Sequence, residues 1–371
     1  MKQIRTLPPR GGLARYFLRL GALGFGGPIA LVGHMYRDLI EVRGWATEEE
    51  YREGMALAQL SPGPLAAQLC FYLGYIRGGI AGSALSGLAF VLPSFVMVVA
   101  IGWAYVRYGG LSWVQAVFYG VGAAVIGLIT RSAYGLARKT IGKDLLFWGI
   151  FLVVAVGTAV TGREIISLIL AGGAIVWIVR TPPAALRGRG TIAEAGSAIL
   201  LLKILGFFAY AGSFVFGSGL AIVPFLHGGV VLEHHWLTER QFLDAVAVAL
   251  ITPGPVVITT GFIGYLVAGF AGACIAAGAT FLPAFLFTVI PAPYFHRYGK
   301  RPWLASIVGG ITAGATGAIA GAVIVLARQS LVDVTTVLIA VAAFGLTWSR
   351  WKVPEPLIVV AAGLIGLAAR S

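Results

Sequence analysis

The chain is laid out in long apolar runs separated by short polar or glycine-rich stretches. Six runs fall at about 12–33, 55–76, 80–106, 113–137, 145–160 and 164–179, and six more at about 196–229, 245–268, 270–293, 303–327, 331–348 and 355–370. Runs of about 20 apolar residues are the length an α-helix needs to cross the hydrocarbon core of a bilayer. Helices are expected because a lone segment in lipid must satisfy its own backbone hydrogen bonds. The expected architecture is therefore an all-α polytopic membrane protein with about ten to twelve crossings. The runs at 145–160 and 164–179 are short and read as a hairpin of half-spans. The runs holding Phe25-Gly26-Gly27-Pro28 and Ser61-Pro62-Gly63-Pro64 are expected to be broken internally.

The second set of runs repeats the first. Trp45-Ala46-Thr47-Glu48 matches Trp236-Leu237-Thr238-Glu239, and Ser61-Pro62-Gly63-Pro64 matches Thr252-Pro253-Gly254-Pro255, with Trp45 and Trp236, like Pro62 and Pro253, 191 positions apart. Phe25-Gly26 falls opposite Phe216-Gly217, Gly74-Tyr75 opposite Gly264-Tyr265, and Leu92-Pro93-Ser94-Phe95 opposite Leu282-Pro283-Ala284-Phe285. The expected organisation is two homologous repeats of about five to six membrane segments, 1–180 and 196–371, joined by a basic linker at 181–195. A duplicated unit interrupted by Gly and Pro is a common plan for membrane transporters, with the site where the repeats meet.

Charge sharpens this picture. The chain carries 27 Lys and Arg against 14 Asp and Glu, a net +13, with 58% hydrophobic residues and 52 glycines. The excess of base sits in short loops, where the positive-inside rule explains it without nucleic acid. In the first half the basic loops are Arg131/Arg138/Lys139/Lys143 and Arg180/Arg187/Arg189; in the second they are His296/Arg297/Lys300/Arg301 and Arg350/Lys352. These lie at opposite ends of equivalent segments, which points to halves inserted in opposite orientations. Inversion needs an odd number of crossings per repeat, or a re-entrant element, so an even count of segments has to fail somewhere. Cys70 and Cys274 lie inside apolar runs and imply neither a disulfide framework nor a metal site. The polar, basic residues 1–12 lack a signal-peptide pattern.

The two Pro-Gly-Pro motifs share one design. Proline forbids continuing the previous helix and suits the first turn of a new one. Ser61 and Thr252 are capping-type residues just before it. A helix started inside the membrane turns unpaired N–H groups and a positive dipole end toward an anion. The alternative is a pair of structural kinks. Gly26, Gly27 and Pro28, with Gly217 and Ser218 opposite them, form a second pair of turns able to act as an anion-binding nest or as a tight helix crossing. Gln59, Gln68, Thr259 and Thr260 flank the breaks as substrate ligands or as helix–helix glue. Arg77 is either an interfacial snorkeler or a group that draws an anion in. The spacing leads to the expectation that Gly63 and Gly254 lie beside each other's helix starts, around a small polar cavity. Acidic residues cluster in equivalent connectors: Glu41, Glu48, Glu49, Glu50 and Glu53, then Glu233, Glu239 and Asp244. Thr47 and Thr238 read as N-caps. Glu53 and Asp244 lie nearest the following apolar runs and are candidates for a coupling proton.

Enzyme readings find little. Gly217-Ser218-Gly219 has the look of an intramembrane serine protease, but Ser218 falls opposite Gly27 and so reads as a packing position. His234-His235 is a poor metal spacing, and there is no Walker A, Cys-x-x-Cys or haem pattern. No catalytic residue, cofactor or metal is expected.

Phe25-Gly26-Gly27-Pro28, Trp45 with Glu48 to Glu50, Ala58-Gln59-Leu60-Ser61-Pro62-Gly63-Pro64, and the second copy ending Thr252-Pro253-Gly254-Pro255-Val256 resemble the bacterial chromate ion transporter family in its two-domain form. The resemblance covers nearly the whole chain. It implies a multi-pass inner-membrane secondary transporter that exports chromate and gives chromate resistance, with sulfate as a structural analogue. A sulfate or other oxyanion carrier of the same architecture is the alternative. Coupling to a proton or a counter-anion, and assembly as a homodimer, are left open. Gly219 stands where the first copy has Pro28, so the two turns need not play equal roles.

Overall fold

A computed structural model describes residues 11–24, 27–108, 111–142, 144–161, 166–180, 199–217, 222–298, 302–348 and 353–370. The linker 181–195 lies outside them. The described chain is almost entirely helical. In the first half, α1 is Gly12–Leu23, α2 Gly27–Tyr36, α3 Glu48–Leu60, α4 Leu65–Tyr108, α5 Ser112–Thr140, α6 Leu145–Thr161 and α7 Ile166–Arg180. In the second, α8 is Ile199–Gly212, α9 Val223–His227, α10 Glu239–Ile251, α11 Thr259–Val289, α12 Ala292–Tyr298, α13 Pro302–Ser330, α14 Val334–Trp348 and α15 Glu355–Arg370. Among the described residues four helices are long and apolar enough to cross a membrane, and five shorter apolar helices accompany them.

Repeated sequence produces repeated local structure. A π turn follows α2 at Arg37–Val42 and α9 at Gly228–Glu233, and each is closed by the following tryptophan: Trp45 N–H donates to Leu39 O and Trp236 N–H to Val230 O. Thr47 caps α3 by accepting from Glu50 N–H while the Glu50 carboxylate accepts from Thr47 N–H; Thr238 and Gln241 do the same for α10. These capping boxes satisfy amides that the helix start leaves without carbonyls.

The apolar runs are folded more tightly than their lengths suggest. The run at 12–33 is two helices, α1 and α2, each too short to span. α4 doubles back at Gly78-Gly79, where Gly79 has φ 58° and ψ −146°; α11 does the same at Ala268-Gly269, with Gly269 at φ 60° and ψ −151°. A side chain rarely tolerates that backbone. The arms 65–77 and 80–108 close so tightly that a Cβ on Gly74 would sit 2.5 Å from Gly82 O. Gly264 meets Gly272 O in the same way.

The halves then exchange helices. α6 and α7 of the first half pack on α13 of the second, and α14 and α15 of the second pack on α5 of the first. Gly309, Gly317 and Gly321 of α13 meet Phe147, Phe151 and Ala155 of α6 in the same order, so these two helices run parallel. Gly310 and Gly314 meet Gly172 and Ile169 of α7 in reverse order, so that pair is antiparallel. On the other side α5 is parallel to α14 (Tyr119 with Asp333, Gly127 with Ala340, Tyr134 with Trp348) and antiparallel to α15 (Ala116 with Gly366, Gly120 with Ala362). Glycine permits these backbone approaches, the usual basis of helix association in lipid, where apolar burial no longer distinguishes helix from solvent. The outer faces keep large apolar residues exposed, among them Leu88, Trp103, Leu145, Val160, Leu338 and Leu364, as a bilayer requires.

Candidate functional site

The two Pro-Gly-Pro segments are true helix breaks. α3 ends at Ser61, whose N–H still bonds Leu57 O, and a new helix begins at Leu65. α10 ends at Thr252, bonded to Val248 O, and the chain restarts through a 3₁₀ turn at Val256–Ile258. Between the prolines Gly63 has φ 145° and Gly254 φ 95°. That region of backbone is where glycine is needed.

Each break is gripped by the other repeat. Gly63 N–H donates to Val215 O at 2.5 Å, and Gly63-Pro64 pairs in parallel with Phe216-Gly217. Gly254 N–H donates to Gly24 O at 2.9 Å. Gly63 and Gly254 are equivalent positions, and so are Gly24 and Val215. The contact is therefore reciprocal, as a pseudo-twofold relation between the repeats demands. The surroundings follow the same exchange. A Cβ on Gly63 would meet Ala284 Cβ at 2.8 Å, and one on Gly254 would collide with the hydroxyl of Ser94, the residue equivalent to Ala284.

The breaks lie side by side as expected, for Pro64 and Ala66 share a cavity with Gly254, Pro255, Val256 and Val257. Its character differs from the expectation. It holds only about 10 Å³ and its lining is apolar, room for one water at most. Among the described residues the breaks thus enclose no polar cavity, and the two glycine amides expected to face an anion are engaged by carbonyls. The physical reason is that an unpaired N–H in a dry interior costs several kcal/mol, so the opposing turn supplies an acceptor.

The other expected residues divide. Ser61 Oγ donates to Phe287 O at 3.2 Å, across the repeats, whereas Thr252 Oγ donates to Ala249 O of its own helix. Thr259 and Thr260 are buried and bond back to Val256 O and Val257 O. Gln68 is fully buried beside the first break; its Nε2 donates to Pro62 O and its Oε1 has no partner among the described residues. Gln59 is exposed. Arg77 is held by Glu50 and by Trp45 O. It lies 13 residues beyond Pro64, about 20 Å along the helix, so the structure does not bring it to the breaks. Gly27 and Pro28 open α2, Pro62, Pro64, Pro253 and Pro255 flank the two glycines, and Gly217 sits in the bridge to Pro64. Gly26 and Ser218 lie outside the described residues.

Ser94 was missed. It lies within α4 just after Pro93, bonds Gly21 O at 3.3 Å and abuts Gly254. The signal was present: Leu92-Pro93-Ser94-Phe95 recurs as Leu282-Pro283-Ala284-Phe285, and a proline within an apolar helix in both copies marks a place where helices meet closely.

A family model described as "Chromate transporter" matches the chain twice, over residues 12–177 and 202–367. The chain is 59% identical over 370 residues to the "Chromate transport protein" of Cupriavidus metallidurans, covering 96% of this chain and 92% of that protein. It is 60% identical over 370 residues to the "Probable chromate transport protein" of Synechococcus elongatus, covering 96% and 94%. A "Chromate transport protein" of Pseudomonas aeruginosa is 30% identical over 380 residues, covering 94% and 90%. No solved structure matches. With the same family pattern in both halves and whole-length relatives at this identity, the chain belongs to the chromate transporter family.

Proposed function

We propose that the protein is a secondary transporter that exports chromate, a tetrahedral oxyanion, across the bacterial inner membrane, with the substrate held where the two Pro-Gly-Pro breaks meet. The observation that carries this is the reciprocal grip of the breaks, Gly63 on Val215 and Gly254 on Gly24. Paired breaks at a repeat interface place two helix starts at one point, and helix starts attract anions. The names of the relatives supply the substrate. Sulfate shares the shape and charge and competes for the same site. In the closed conformation the carbonyls of Val215 and Gly24 take the amides that the oxyanion would take, so substrate enters as the repeats rock apart.

The repeats are inserted in opposite orientations. Residues 141–144 join α5 to α6, so α6 starts from the face at which α5 ends. α6 runs parallel to α13. α13 then runs opposite to α5, its counterpart 190 positions earlier (Ser112 against Pro302). The offset of the basic loops supports the same reading.

Everted membrane vesicles loaded by labelled chromate or sulfate test the carrier. Chromate uptake above that of vesicles lacking the protein, inhibited by sulfate, is expected; equal uptake in both overturns the reading. Reporter fusions at Lys139 and Lys300 are both expected in the cytoplasm. A fusion at Lys300 on the outside would leave a parallel duplication.

A further inference from the structure

Away from the breaks, a second cavity of about 230 Å³ opens between α5, α10 and the end of α13, lined by Tyr119, Arg240, Asp244 and Ser330 among others. Asp244 is the buried acid of this cavity, 3% exposed. Its Oδ2 accepts one hydrogen bond, from Tyr105 of the other repeat, at 2.5 Å. Ser330 Oγ has no partner among the described residues. The groups around Asp244 are Tyr105 from α4, Tyr119 from α5 (bound to Asp333), His227 from α9 (2.7 Å from Glu239), and Glu239 and Arg240 of α10 itself. Arg240 also donates to Gln115 O of α5. On the remaining elements packed against α10, Glu233 closes the π turn and Glu355 heads α15. An ionisable side chain with so few partners among the described residues, lining a cavity inside a membrane protein, is a functional group by default.

We propose that Asp244 is the proton-binding site that couples transport to a proton gradient, with the Tyr105–Asp244 bond as the tie it makes and releases between the repeats. This rests on the carrier reading above. The carboxylate takes one proton from cavity water and loses its charge. Tyr105 keeps its own proton but loses a charged acceptor, and a hydrogen bond to a neutral group is about half as strong. α10 carries the effect. Asp244 lies eight residues before Thr252, about 12 Å along the helix, and the break that follows is held to Gly24. Releasing α10 from α4 frees the second break from the first repeat. A metal ion suits the cavity less well: Arg240 stands one helical turn from Asp244, and no cluster of three acidic, His or Cys ligands occurs among the described residues.

Glu53 is the equivalent residue of the first repeat and does not share this placement. It is half-buried and accepts from Tyr72 of its own repeat, where Asp244 accepts from Tyr105 of the other.

The test uses purified protein in liposomes. One coupled proton and a gradient of about one pH unit sustain about tenfold chromate accumulation in the wild type. Asp244→Asn is expected to lose this accumulation while chromate–chromate exchange without a gradient continues. The wild type is also expected to show a protonated-carboxyl band in pH-difference infrared spectra that Asp244→Asn lacks, and Tyr105→Phe to shift the pH midpoint of that band. Unchanged gradient-driven accumulation in Asp244→Asn overturns the proposal, as does a wild type indifferent to the gradient, a band that persists in the variant, or loss of exchange together with accumulation. If the wild type moves no oxyanion at all, the carrier reading fails, and the infrared band still decides whether Asp244 takes the proton.

Discussion

The first break and the second are the same backbone with different linings. Both end a capped helix, place glycine at positive φ and hand that glycine's amide to a carbonyl of the opposite repeat. Around Gly63 stand Gln68 and Ala284; around Gly254 stand Ser94 and the carbonyl of Gly21. The acid on the preceding helix differs too: Glu53 is tied within its repeat, Asp244 across to the other. Duplication preserved what the backbone needs, and divergence acted on what the side chains offer. A perfectly symmetric pair would give a proton two equal places to bind; this pair offers one buried and one half-exposed.

The strongest way to break the comparison is at the shared glycines. Gly63→Leu and Gly254→Leu are each expected to abolish chromate uptake while the protein still inserts, because both positions combine positive φ with close neighbours. Gly149→Leu, on an exposed face of α6 with open space around it, is the control and should transport normally. Vesicle uptake beside membrane abundance checks all three; wild-type uptake by both leucine variants would reduce the breaks to kinks.

A finer test separates Ser61 from Thr252. The Ser61 hydroxyl bridges the repeats, so Ser61→Ala should loosen the closed first break by about 1 kcal/mol, roughly a fivefold faster amide exchange at Gly63. Among the described residues the Thr252 hydroxyl bonds only its own helix, and Thr252→Val should leave exchange at Gly254 unchanged. Equal responses at the two breaks would mean that the asymmetry of their hydroxyls has no consequence. Hydrogen-exchange mass spectrometry reads both.

Much of this architecture was legible in the order of residues. The 191-residue spacing exposed the repeat, the prolines marked the breaks, and Thr47 and Thr238 announced the helix starts. Adjacency of the breaks followed from the transporter plan. What stayed hidden is what periodicity does not encode. Nothing local says that the carbonyl of Val215 reaches Gly63, because that bond joins residues 152 positions apart across a fold axis. The internal break expected in the run at 12–33 does separate α1 from α2, but hydropathy sees composition and not which partner each short helix takes. Arg77 read as an interfacial snorkeler or as a group drawing an anion in, and only the fold shows its guanidinium against Glu50. Asp244 and Glu53 were equal candidates until burial told them apart.

The interlocked helices also set a schedule for the ribosome. α6 and α7 are built to clasp α13, which is completed only at residue 330, some 150 residues after α7 ends at Arg180. At about 5–20 residues per second, the first half waits roughly 8–30 s with its glycine-faced grooves unfilled. For that interval it is an unfinished client of the insertion machinery, open to capture by membrane proteases or by the wrong helix. A substitution that slows emergence of residues 302–330 should therefore lower the yield of protein without altering the activity of the molecules that mature.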